Sequence, residues 1–120
     1  MAQIDPVPFQ HKVRMADAAL ATATASLEKA KVNAGNNRKN YLRQRKLFVK
    51  KIISINDIDT ARTAYHVSRA EVKLAEAQVM QATASREVAK TDLEHTSIVS
   101  PLNGFVISRN VDVGQTVVAS

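Results

Sequence analysis

Three histidines, His11, His66 and His95, are the side chains of this sequence best suited to metal binding or proton transfer. His11 and His95 would share a layer if the chain folded back near residue 53, yet no thiol or carboxylate is placed to complete a tetrahedral site around two imidazoles. Cysteine is absent, which removes disulfides and thiolate ligands. No nucleophile–base pair, glycine-rich phosphate loop or carboxylate pair stands out. The sequence therefore reads as non-enzymatic, with no catalytic residue, cofactor or metal. The chemistry that remains is that of recognition, concentrated in RQRKLFVKKIIS, residues 43–54. Arg38, Lys39, Arg43, Arg45, Lys46, Lys50 and Lys51 are all basic, and no acidic residue lies between Arg38 and Ile55. Such a run is a solvated basic face, or a surface that meets an acidic partner.

Two long periodic segments flank that stretch and must position it. Val13, Leu20, Leu27, Ala34, Tyr41 and Phe48 recur every seven residues, with Ala16, Ala23 and Ala30 three positions on. A second series runs Ile58, Tyr65, Val72, Val79, Arg86, Leu93, with Ala61, Ser68, Ala75, Ala82 and Ala89 as companions. Both are heptad seams with a small-residue column. Paired from opposite ends, Val13 with Leu93 through Phe48 with Ile58, their positions all add to 106. One fold-back point satisfies six layers, as an antiparallel hairpin requires and a parallel dimer does not. Arg86 is the one departure from the apolar column.

Helices are thus expected over about 8–51 and 56–94, around a tip at about 52–55. Pro8 suits a first helical turn, and Ser54 followed by Asp57 reads as a capping box. Phe48 takes the seam register, which leaves Leu47 on an exposed flank. NAGNN, residues 33–37, is poor helix sequence and is expected to be a soft point, either tolerated or broken. After Glu94 the pattern changes to short β-branched runs at Ser97–Val99, Phe105–Ser108 and Thr116–Val118, punctuated by Pro101, Gly104 and Gly114. A strand unit this small cannot bury both faces alone, so the chain is expected to be a piece of a longer protein. No apolar run approaches the roughly 20 residues needed to cross a bilayer, and MAQIDPVPF lacks the features of a signal peptide. The fold class expected is mainly α: a long antiparallel two-helix coiled-coil hairpin with a small partial β segment at its base.

SIVSPLNGFVISRNVDVGQTVVAS resembles the second half of the biotinyl/lipoyl-like domain of periplasmic adaptors, the membrane fusion proteins of HlyD type. The matching features are the (I/V)-x-(A/S)-P-x-x-G-x-(V/I) core from Ile98 to Val106 and the VDVGQxV turn from Val111 to Val117. AQIDP, residues 2–6, is similar to the end of the first half. The resemblance implies that residues 1–7 and 96–120 belong to a lipoyl-like domain and that 8–95 are the helical hairpin inserted into it. Family members that engage a TolC-like outer-membrane channel carry R-x3-L-x6-S at the hairpin tip, and Arg43, Leu47 and Ser54 fit that spacing. Arg43 and Leu47, four apart, share a helix face, and the implied role of all three is contact with the channel. The resemblance further implies a full-length protein anchored to the inner membrane of a Gram-negative bacterium and acting in the periplasm. There it would assemble as a homo-oligomer, a hexamer in the family's pattern. It would bridge an inner-membrane transporter of RND, ABC or MFS type to the channel, in a tripartite efflux or type I secretion pump. The VDVGQTVVAS ending leans toward ABC-type macrolide or RND-type drug efflux. Lipoylation is not implied, since no lysine follows Lys90 and the hairpin replaces the turn that would carry one.

The alternative from another class is a coiled-coil scaffold or interaction protein unrelated to transport. Nucleic acid is not an expected partner: no aromatic platform interleaves the cations, and a turn rather than a parallel zipper follows the basic stretch.

Overall fold

The computed structural model describes residues 2–116. Its elements run β1 (Ala2–Gln3), α1 (Val7–Val49), α2 (Ile55–Glu94) and β2 (Ser97–Ile98). The two helices, of 43 and 40 residues, lie antiparallel as one hairpin. It measures 89 × 25 × 22 Å, with a radius of gyration of 26.5 Å, where a globular chain of this length would have about 14 Å. The molecule is a rod whose length is set by one helix, roughly 65 Å for α1, plus its base.

The fold-back register appears directly where rings meet. Tyr41 and Tyr65 stack with centroids 6.0 Å apart and planes 9° from parallel, one of the six layers expected from the heptads. Between layers the helices come close because the companion column is small. Ala61, Ala75, Ala89 and Ser68 are buried on α2, together with Ile58. Among the described residues Ser68 is the most enclosed, 1% exposed, and its hydroxyl donates to the Tyr65 carbonyl at 2.9 Å, so that buried group is not orphaned. Arg86, the break in the apolar column, is explained by an ion pair from its Nε to Asp17 Oδ1 across the two helices. Both side chains remain partly exposed, so the pair adds at most about 1 kcal/mol.

The NAGNN segment is helical without interruption, inside α1. Its asparagines cross-link the arms: Asn33 Nδ2 donates to Glu71 Oε2 at 3.3 Å and Asn37 Nδ2 to the Ala64 carbonyl at 3.4 Å. Poor intrinsic propensity is offset by tertiary hydrogen bonds.

At the base, Asp5 Oδ1 accepts from the Val7 N–H at 3.0 Å and starts α1. β1 and β2 pair antiparallel, Ala2 with Ile98 and Gln3 with Ser97. The Ile4 N–H donates to the carbonyl of buried Thr96 at 2.9 Å. The expected strand at 105–108 does not form; Phe105 and Ile107 are 100% and 99% exposed. A strand needs a neighbour to satisfy its backbone, and among the described residues the one available pairing is already taken by β1 and β2. The expected strand at 116–118 lies largely outside the described residues.

Gly35 is exposed on α1, with nothing within 4 Å of where a Cβ would stand. Gly35→Ala is expected to raise the unfolding free energy by about 0.5–1 kcal/mol in urea titrations, since it removes helix entropy cost without a clash.

Candidate functional site

The hairpin turn is built by two caps placed back to back. α1 ends at Val49, with Lys50 as its C-cap. The Lys51 N–H donates to the Phe48 carbonyl at 2.8 Å and the Ile52 N–H to the Leu47 carbonyl at 3.0 Å. This bond pattern is a Schellman motif, which requires a left-handed residue just past the C-cap. That residue is Lys51, with φ 56. α2 begins at once with Ser54 as N-cap. Its hydroxyl donates to Asp57 Oδ2 at 2.8 Å and accepts from the Asp57 N–H at 3.3 Å, while the Ser54 N–H donates to Asp57 Oδ2 at 3.1 Å. The capping box expected from Ser54 and Asp57 is formed, and the tip proper spans 50–54, slightly earlier than the 52–55 expected.

The three motif residues therefore occupy different environments. Arg43 is exposed and has no carboxylate partner among the described residues. Ser54 is also exposed, but its hydroxyl is engaged inside the turn. Leu47 departs from the expectation: it is half-buried, whereas Phe48, assigned to the seam, is 38% exposed. Two effects account for the exchange. A straight helix drifts by about 20° per heptad against a strict seven-residue repeat, and the inward positions near the tip run Tyr41, Gln44, Leu47. The Schellman bond from Ile52 to Leu47 also brings those two residues together, and an apolar contact between these positions commonly accompanies it.

Sequence reasoning passed over the apolar residues around the turn. Val49, Ile52 and Ile55 are 75%, 64% and 67% exposed and form the apolar part of the tip. They lie outside both heptad columns, and that is the signal by which they could have been found. Elsewhere the rod offers shallow side grooves, one of them lined by Ala34, Gly35, Tyr65 and Val72, with four basic side chains and Glu76 at its edges. Among the described residues no group of three or more His, Asp or Glu side chains is placed to hold a metal ion. Among the described residues no helix is long and apolar enough to cross a membrane.

A rod of two antiparallel helices with a capped, basic, apolar tip defines a helical-hairpin module that presents its bend. A family model described as "RND MFP, alpha-helical hairpin domain" matches residues 19–96. Curated relatives include "Macrolide export protein MacA" of Escherichia coli O157:H7, 33% identical over 117 residues, covering 98% of this chain and 32% of that protein. "Multidrug resistance protein MdtE" of Escherichia coli strain K12 is 36% identical over 118 residues, covering 98% of this chain and 27% of that protein. A solved structure, "Crystal structure of MacA from Actinobacillus actinomycetemcomitans", superposes with a TM-score of 0.89 at 33% identity, covering 96% of this chain and 36% of that one. The chain belongs to the RND membrane fusion protein family and contains its α-helical hairpin domain. It spans about a third of the length of the relatives it matches.

Opposite changes at the two caps are expected to move stability in opposite directions. Ser54→Ala removes the N-cap and costs about 1 kcal/mol. Lys51→Gly relieves a left-handed non-glycine residue and adds about 1 kcal/mol. Thermal melts followed by circular dichroism check both signs.

Proposed function

We propose that the full-length protein is a periplasmic adaptor of a tripartite drug-efflux pump. In this reading its hairpin reaches from a base near the inner membrane to a TolC-like outer-membrane channel. The observation that carries the proposal is the polarity of the rod. The chain enters and leaves at one end, and the other end carries an exposed, unneutralised basic tip. Family membership supplies the context, and the relatives' names, macrolide export and multidrug resistance, favour drug efflux over protein secretion. Arg43 would contact the channel, Leu47 would buttress the contact surface from below, and Ser54 would hold the turn in shape. Residues 1–7 and 96–120 would be the two contributions to a lipoyl-like domain, joined here through β1 and β2. The transporter at the inner membrane, of RND or ABC type, would supply the energy, and the adaptor would be anchored beside it.

A ring of copies, six in the family's pattern, fits the outer faces of the rod. On α2, Val67, Leu74 and Val88 are exposed in one seven-residue register that Gln81 interrupts, interleaved with exposed Ala70, Ala77 and Ala84. They lie on the face opposite the intramolecular seam and repeat its large–small design. The outer face of α1 carries exposed Ala18, Ala21, Ala25, Val32, Gly35 and Leu42. α1 has nine basic and two acidic residues, and α2 has five basic and seven acidic. α1 of one copy against α2 of the next is therefore favoured over like against like, and such a head-to-tail contact makes a ring when its rotation closes. Many weak tip contacts then act together.

Two measurements test this reading. In a pull-down with a TolC-like channel, Arg43→Ala is expected to reduce retention several-fold with helicity unchanged; equal retention would remove the tip assignment. Leu74→Asp in the full-length protein is expected to shift the assembly toward monomer in sedimentation, while the isolated rod keeps its melting temperature.

A further inference from the structure

Among the described residues Lys51 is the one non-glycine residue with positive φ. Its position, just past a helix C-cap, is one that glycine fills most often because a Cβ there is strained. A lysine kept in such a conformation points to a use for its side chain. Its neighbours point the same way. Val49, Ile52 and Ile55, within four residues of it in the turn, are largely exposed. From Arg38 to Lys51 the chain carries seven cations and no anion. The first carboxylate after this run in the sequence, Asp57, accepts from the Ser54 N–H and hydroxyl. Among the described residues no carboxylate forms an ion pair with these cations, and Leu47 is half-buried.

We infer that Lys51, Ile52 and Ile55 are the specificity-determining contacts of the tip, and that they fit an apolar cleft rimmed by carboxylates. This rests on the channel-docking reading and names the chemistry of the channel's docking edge. Charge complementarity selects an acidic rim, and three clustered apolar side chains select a narrow cleft within it. A lipid surface fits less well. The rod meets its partner end-on and offers three apolar side chains, whereas interfacial binding lays a whole amphipathic helix in the membrane plane.

The test titrates a purified TolC-like channel, in detergent, against this chain and its variants. Lys51→Gly and Lys51→Asn, both compatible with the left-handed turn, are each expected to weaken binding by about tenfold, although Lys51→Gly melts higher than wild type. The double variant Ile52→Ser, Ile55→Ser is expected to lose a similar factor with helicity intact. Raising salt should weaken wild type more than Lys51→Gly. If Arg43→Ala weakens binding while the Lys51 and isoleucine variants bind as wild type does, the inference is overturned and docking at the tip stands. If wild type does not bind the channel at all, both fall. Binding to vesicles of phosphatidylcholine and phosphatidylglycerol that the same variants abolish, without channel binding, would overturn the inference in favour of lipid.

Discussion

The structure depends on close approach between two long helices along a single register. Alanine and serine in one column let the backbones come near, and the larger residues of the other column fill the space between successive small layers. Neither column suffices alone. Alanines bury too little apolar surface to order some forty residues per arm, and a column of large residues alone would hold the arms apart. Because the layers repeat every seven residues, a slip by one residue would turn every seam residue away from its partner, so the register is specified collectively. The Tyr41–Tyr65 stack, the Asn33–Glu71 and Asn37–Ala64 bonds and the Asp17–Arg86 pair are local markers within a repeat that would otherwise be uniform.

Such a rod has almost no interior. Most of its side chains face solvent, and the outer faces retain apolar columns of the same design as the inner one. The bend is capped on both sides: a Schellman motif engages the N–H groups of Lys51 and Ile52, and a capping box engages that of Ser54. The apolar and cationic side chains are thereby left to face outward. Recognition at the tip, in the reading proposed here, falls to the side chains that these caps do not use.

Much of this was legible in the sequence. The heptads and their shared fold-back point predicted the antiparallel hairpin, and Ser54 with Asp57 predicted the start of α2 to within a residue. Whether the NAGNN segment is tolerated or breaks the helix was left open by the sequence, because propensity is local while the compensation comes from the other arm. Leu47 and Phe48 exchanged roles because a strict count of seven ignores helical drift, and because lysine is no cue for a left-handed residue. The 105–108 segment has strand composition, but composition does not provide a pairing partner. At the tip, Arg43 stood out by charge, whereas Val49, Ile52 and Ile55 were hidden by their ordinariness as apolar residues beside a turn.

Because β1 and β2 clasp the two ends of the hairpin together, the rest of a protein sees this rod as a single short crossing from one strand to its neighbour. Whatever happens between those strands leaves the base untouched. A seven-residue unit added to each arm in matching layers would preserve every existing pair and move the bend outward by about 10 Å. The rod is in this sense a ruler with heptad graduations, and the gap it can span is adjustable without redesigning either of its ends.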